Sequence, residues 1–406
     1  MTFKQFELNY SKAVNVLIFT FPVVINTLQV AGDIVLFILA LMGIFISISQ
    51  KISPFVIKQT KVFSYLTFGY FLAVCFSVLF SGKAAELAHF IPRDFHFLFA
   101  PFIILALFKA DININYLLTG IKVALIILGI IVFQGYLQDV PRPSGVMNPA
   151  VFGNLAVLMF FVSIVFFEHE SFKYKIFNLF SLLPGLYIIV LSGTRGAWLS
   201  FLILFGAYLY FFYKKKIKIS TRAKVYLVII LISLLSLGSF NHKINSGIGL
   251  AFSQVSNWSS DDPAISSVSQ RIVMYDVAIK NIKDVPFFGY GLRTSNTTLF
   301  KDDPTEIGIV AARYNHLHNA FLTNYYNGGI ILLGALLLLL FEPLIIFLKA
   351  NSQDRENPIF ISGVILTLGY ASFGMVNILF GDTYMNGFYV FFLAIIMVLT
   401  NKSIKN

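Results

Sequence analysis

Long unbroken apolar runs constrain this chain more than any other feature. A run of about 17 to 25 such residues crosses a bilayer as a helix, because the hydrocarbon core tolerates only internally hydrogen-bonded backbone. About twelve runs are legible, at roughly 12–30, 33–49, 62–80, 95–108, 116–137, 149–167, 176–192, 196–213, 223–240, 326–348, 359–380 and 384–400. Only 12% of residues are charged and 57% are hydrophobic, where a soluble domain carries about 25% charge. The expected fold class is therefore an all-α polytopic membrane protein with about 12 transmembrane helices. It divides into nine helices within roughly 1–240, one long loop with short amphipathic helices at roughly 241–325, and three helices within roughly 326–406. The first run follows Lys4 and Lys12 as a signal peptide would. No small-residue cleavage site follows it, so it is read as a retained helix.

Lys and Arg in the short loops set the orientation. With the N-terminus inside, the inner loops hold Lys51, Lys58, Lys61, Lys109, Lys173, Lys175, a cluster from Lys214 to Lys224, and then Lys349 and Arg355. The short outer loops hold only Lys83, Arg93, Arg142 and Arg195. Both termini are expected in the cytoplasm and the long loop outside. This bias accounts for most of the +11 formal charge, which therefore does not argue for a nucleic-acid partner. The lone cysteine, Cys75, excludes a disulfide framework and a cysteine metal site.

Bulk charge cancels in the long loop, so individual placement matters there. Ser269 is a candidate N-cap for a helix over about 270–284, stopped by Pro286, with Arg271 in its first turn. Its mixed face suits either a helix lying on the membrane surface or an ordinary amphipathic connector. Gly289, Tyr290 and Gly291 form a GxG with neither a preceding strand nor a helix fingerprint, which reads as a turn and not as a dinucleotide site. Further on come Asn315, His316, Leu317, His318 and Asn319, just ahead of the tenth run. Asn315 is a candidate cap there, which puts both imidazoles in a helical first turn where the dipole favours the neutral form a general base needs. Residues two apart do not share a helix face, so one of the two is expected to meet a substrate. The competing reading is a pair of interfacial histidines satisfied by water or headgroups.

Two further motifs face outward. Ser192, Gly193, Thr194 and Arg195 join the seventh and eighth runs by a tight turn, which predicts antiparallel neighbours. It also holds Arg195 at phosphate depth, with Trp198 as an interfacial anchor. A guanidinium fork suits a diphosphate, and a snorkelling charge that fixes helix depth is the alternative. Pro141 and Pro143 stiffen the backbone around Arg142 for a phosphate or sugar contact, or simply form a rigid turn around a solvated charge.

Together these motifs resemble the O-antigen ligase and polymerase superfamily of bacterial envelope enzymes, and O-antigen ligases in particular. SGTRGAWLS is similar to the family's arginine at the start of span eight, here Arg195. SSVSQRIVMYDVAIKNIKDVPF resembles its loop helix, here with Arg271. HLHNAFL resembles its His-Asn motif, with His318 at the catalytic position. The family pattern continues through nine residues to Gly, two more, and then Gly, Thr or Tyr. Gly329 fits it, but Leu332 stands at the last position.

The resemblance implies transfer of a glycan from undecaprenyl diphosphate to a sugar hydroxyl of lipid A-core. The reaction belongs to lipopolysaccharide biosynthesis at the periplasmic face of the inner membrane and uses neither metal nor another cofactor. His318 is then the general base, while Arg195 and Arg271 stabilise the departing diphosphate. His316 and Asn319 support the substrate, and Arg142 and Arg313 are further phosphate or acceptor contacts. A lateral opening admits the lipid tails. The relatives that stay open are an O-antigen polymerase, with a second lipid-linked glycan as acceptor, and a protein O-oligosaccharyltransferase. A transporter or flippase is the alternative from another class, disfavoured because no repeat is visible and Asp33, Lys122 and Glu342 fall near run ends.

Overall fold

Asn and Asp side chains start several of the helices, and Asn-Pro is a recurrent opening. The computed structural model describes residues 3–28, 30–81, 87–214 and 267–404. Asn148 caps Pro149 and its successors, Asn357 caps Pro358, and Asn113 and Asp382 cap two more helices through their side-chain oxygens. Proline lacks the N–H that a first helical turn leaves unpaired, so it is well placed there. In order the helices are α1 (Phe3–Thr27), α2 (Ala31–Ser49), α3 (Lys61–Phe80), α4 (Leu87–Lys109), α5 (Ile114–Leu137), α6 (Pro149–Phe166), α7 (Phe172–Leu191) and α8 (Arg195–Lys214). After the undescribed stretch come α9 (Ser267–Lys280), α10 (Ser295–Leu299), α11 (Glu306–Ala312), α12 (Ala320–Gln353), α13 (Pro358–Gly374) and α14 (Thr383–Ser403).

Ten of these helices are long and apolar enough to cross a membrane, and α13 is a shorter apolar helix of 17 residues. No strand occurs among the described residues. The protein is an all-α polytopic membrane protein. The ninth expected span, over about 223–240, lies outside the described residues.

Helices α6 and α14 are buried on nearly every face, as befits helices with no polar stripe. Around them pack α1 on α5, α2 and α3 on α4, α5 on α7, α12 on α3 and α13, and α14 on α4. The tight turn after α7 does not make α7 and α8 close neighbours along their length. They meet only near that turn, and both pack on α6. Gly153 of α6 makes this possible: a Cβ there would come within 2.7 Å of Ser192 Oγ.

Two boundaries and one internal break differ from expectation in ways that shape the site. Helix α12 starts at Ala320, not near 326, and breaks at Gly328 and Gly329. Gly329 has φ +60° and ψ −156°, a conformation open essentially to glycine alone. The break exposes carbonyls that other groups satisfy: Tyr290 N–H donates to Tyr326 O at 2.8 Å and Gly291 N–H to Asn327 O at 2.9 Å. The GxG segment is thus a turn docked edge-on against a broken helix, and Gly289 and Gly329 allow the approach. Leu332 is almost fully buried and packs over Gly328. Helix α13 stops at Gly374 instead of running to about 380, and residues 375–382 turn inward as loop. Glu342, expected near a run end, sits midway between the break and Gln353 and is half-buried. Lys122, also expected near an end, is fully buried and paired with Glu170.

Residues 267–326 pack around a small core of their own, formed by Met274, Ala278, Phe300, Ala311, Leu317 and Tyr326. Among the described residues helix α9 spans Ser267–Lys280, so Ser269 lies buried within it and not at its cap, and the helix closes this core.

Candidate active site

Leu317 orients the histidines. Its side chain is fully buried in the loop core and its N–H donates to Thr323 Oγ1 at 3.1 Å. His316 and His318 on either side are half-buried, with their rings 4.4 Å apart. Neither lies in a helical turn. The cap of α12 is Asn319, whose Oδ1 accepts from Leu322 N–H at 3.0 Å, so both histidines precede the helix. His318 takes a left-handed φ of +51°, uncommon for a residue with a side chain. Its conformation is held from several sides. Tyr275 Oη of α9 donates to His318 O at 2.8 Å, the Tyr314 ring stacks edge-on at 5.0 Å, and the Asn377 side chain hydrogen-bonds the imidazole. Asn319 Nδ2 donates to Met375 O at 3.3 Å, which ties the loop after α13 to the cap.

Both imidazoles are held neutral, though not by a helix dipole. Burial lowers His316 to about 4, with Arg271 adding to the effect. Burial also lowers His318 to about 3, followed by the nearby His316 and Arg271, against the hydrogen bond from Asn377. His316 Nδ1 lies 2.7 Å from Asn315 Oδ1, and the buried His318 Nδ1 and His316 Nε2 have no protein hydrogen-bond partner.

Three arginines from three separate elements meet beside this pair. Arg142 Nε donates to Ser192 O and its Nη2 to Thr194 Oγ1, both at 2.9 Å, while Thr194 Oγ1 reaches Pro149 O at 3.0 Å. Arg142 thus clamps the turn that carries Arg195, the first residue of α8. Trp198 Nε1 closes the same turn by donating to Ile189 O at 3.0 Å, an α7 carbonyl near the end of its helix. Arg271 projects from α9. The guanidiniums feel one another: burial first, and then Arg271 and Arg195, lower Arg142. Burial and Arg195 lower Arg271, while Tyr275 and Tyr314 act in the opposite sense. Both remain cations, since an arginine keeps its proton in proteins. Neither Arg142 nor Arg271 forms an ion pair with a carboxylate among the described residues. Concentrated positive charge of this kind suits a polyanion.

Of the residues singled out from sequence, His316, His318, Asn319, Arg142, Arg195 and Arg271 come together. Arg313 does not. It is exposed at the end of α11 and joins the group through no hydrogen bond among the described residues. Sequence reasoning missed Tyr275, Tyr314, Thr194 and Asn377. Asn377 was hidden inside a stretch read as continuous span, where only the helix stop at Gly374 gives it a role.

The O-antigen ligase family model matches residues 179–338, a segment that contains Arg195, Arg271 and both histidines. That segment of the chain is thus similar to the O-antigen ligases. A Haemophilus influenzae protein described as uncharacterized is 25% identical over 383 residues, covering 88% of this chain and 91% of that protein. Arg142 and Asn377 lie outside the matched segment, so the fold supplies two of the site's contacts from beyond it. No group of three or more His, Cys, Asp or Glu side chains that could hold a metal occurs among the described residues.

Proposed function

We propose that this protein is an O-antigen ligase that transfers a glycan from undecaprenyl diphosphate to a sugar hydroxyl of lipid A-core at the periplasmic face of the bacterial inner membrane. The observation that carries this reading is the convergence of Arg142, Arg195 and Arg271 on a pair of neutral histidines. The reaction is a single displacement at the anomeric carbon. The acceptor oxygen forms the new glycosidic bond, the bond to diphosphate breaks, and the acceptor proton passes to His318. A positioned base of this kind contributes about 10² to 10⁴ in rate. Charge develops on the leaving diphosphate, and fixed guanidiniums at that point lower the barrier without reorganising. His316 and Asn319 support the loop and the substrate.

The low proton affinity of His318 fits such a cycle. In the free protein burial, His316 and Arg271 hold it down. A bound diphosphate offsets the repulsion from Arg271, so the imidazole becomes a stronger base when donor is present.

The test is the lipopolysaccharide profile of a clean deletion in a host that makes O-antigen, read beside its undecaprenyl-linked glycans. Loss of all O-chain, with polymer accumulating on undecaprenyl diphosphate, is the expected result. Cores capped with one repeat unit indicate a polymerase instead, and an unchanged profile points to protein glycosylation or transport.

A further inference from the structure

His316 faces a second environment that the diphosphate reading leaves unused. A cavity of about 160 Å³ is lined by His316 and Asn315 together with Arg93, Asp94, Arg293, Asp382, Asn324 and Asn327, over an apolar floor that includes Tyr70 and Phe380. At roughly 30 Å³ of liquid volume per water, it has room for about five waters, and so for one sugar ring at most. None of the three clustered arginines lines it.

Its chemistry differs from theirs. Two guanidiniums are matched by two carboxylates, so the formal charges cancel and a neutral ligand fits better than an anion. Asn327 is only 6% exposed, and its Oδ1 has no protein partner, as is also true of His316 Nε2. A buried polar atom without a partner is costly, and a ligand hydroxyl is the complementary donor. The other walls are rigid. Asn386 Nδ2 donates to Asp94 Oδ1 at 3.1 Å and to Arg93 O at 2.8 Å, Tyr70 Oη donates to Asn324 Oδ1 at 3.3 Å, and Asp382 caps α14 through Met385 N–H at 3.1 Å. Carboxylates and amides beside an aromatic surface suit a pyranose, whose hydroxyls take the polar groups while its C–H face rests on a ring.

We propose that this cavity is the acceptor-sugar subsite, which holds the ring that bears the attacking hydroxyl next to the histidine pair, while the three arginines take the donor's diphosphate. The inference rests on the glycan-transfer reading. The test uses the full chain in nanodiscs with undecaprenyl-diphosphate-linked glycan as donor and lipid A-core lacking O-chain as acceptor. The variants are Asn327→Leu and Asp382→Asn, and the second retains a side chain able to cap α14. The expected result is an acceptor KM raised tenfold or more in both, with donor KM and the slow hydrolysis of donor in the absence of acceptor unchanged. That hydrolysis also reports that the variants fold. An unchanged acceptor KM in both variants overturns the subsite, as does a shift confined to donor KM, which assigns the cavity to the donor's own sugar. Absence of transfer by the wild-type protein overturns the functional reading itself, and the subsite with it.

Discussion

In the proposed mechanism His318 and Arg195 carry opposite halves of the chemistry, and substitution separates them. His318→Ala is expected to lower transfer by about 10² to 10⁴ at normal protein levels in the membrane. Full activity in that variant would show that His318 is not the base. Arg195→Lys keeps the charge but loses the planar fork, so a clear loss of donor turnover, about tenfold or more, is expected if recognition is bidentate. Wild-type kinetics with Lys would reject the fork. The depressed histidines also set two pH dependences. Their folded values, about 4 and about 3, lie below the ordinary 6.5. The unfolded chain therefore binds more protons between those limits, and stability falls as pH drops below 6.5 towards 3. Thermal denaturation across pH 7 to 4 checks this, and His316→Gln should flatten the slope. Under the proposed mechanism bound diphosphate raises His318, so the acid limb of kcat should lie at higher pH than that of kcat/KM for the donor. Coincident limbs would remove donor-dependent activation of the base.

At the scale of elements, the break in α12 is what brings the loop and the bundle together. A Cβ on Gly329 would lie 1.8 Å from Phe287 O, and the backbone conformation alone costs a non-glycine residue about 1 to 3 kcal/mol. Gly329→Ala is thus expected to lower thermal stability in detergent and to loosen residues 286–291, read as faster hydrogen exchange at Tyr290 and Gly291. Gly334→Ala is the control, since open space surrounds that position. The GxG was legible in the sequence as a turn, but its docking against the break at Gly328 and Gly329 was not. Similarly, the cap expected at Asn315 lies at Asn319. Burial of Leu317 in the loop core decides for Asn319, because it fixes the backbone ahead of the helix and leaves both histidines in loop.

For the whole molecule, lysine-bearing turns such as 50–60 and the arginine-bearing turns at 142 and 195 fall at opposite ends of consecutive spans, the pattern that places lysine inside. In a Cys75→Ser background, Lys301→Cys is expected to react with a membrane-impermeant maleimide in intact spheroplasts, whereas Lys58→Cys should react only after permeabilisation. The reverse pattern overturns the assigned orientation. Most of this architecture is legible in the sequence, because a bilayer leaves an apolar run of that length little choice but a helix, and each helix satisfies its backbone without help from elsewhere. The sequence by itself therefore determined the class of fold, most of the spans, and the residue types able to bind diphosphate and accept a proton. Tertiary structure alone decided which of them meet. Arg142 joins Arg195 because Gly153 and the proline-flanked loop let two turns interlock, and Asn377 reaches His318 because α13 stops early. Such contacts depend on how separate helices pack, which no local pattern of residues encodes.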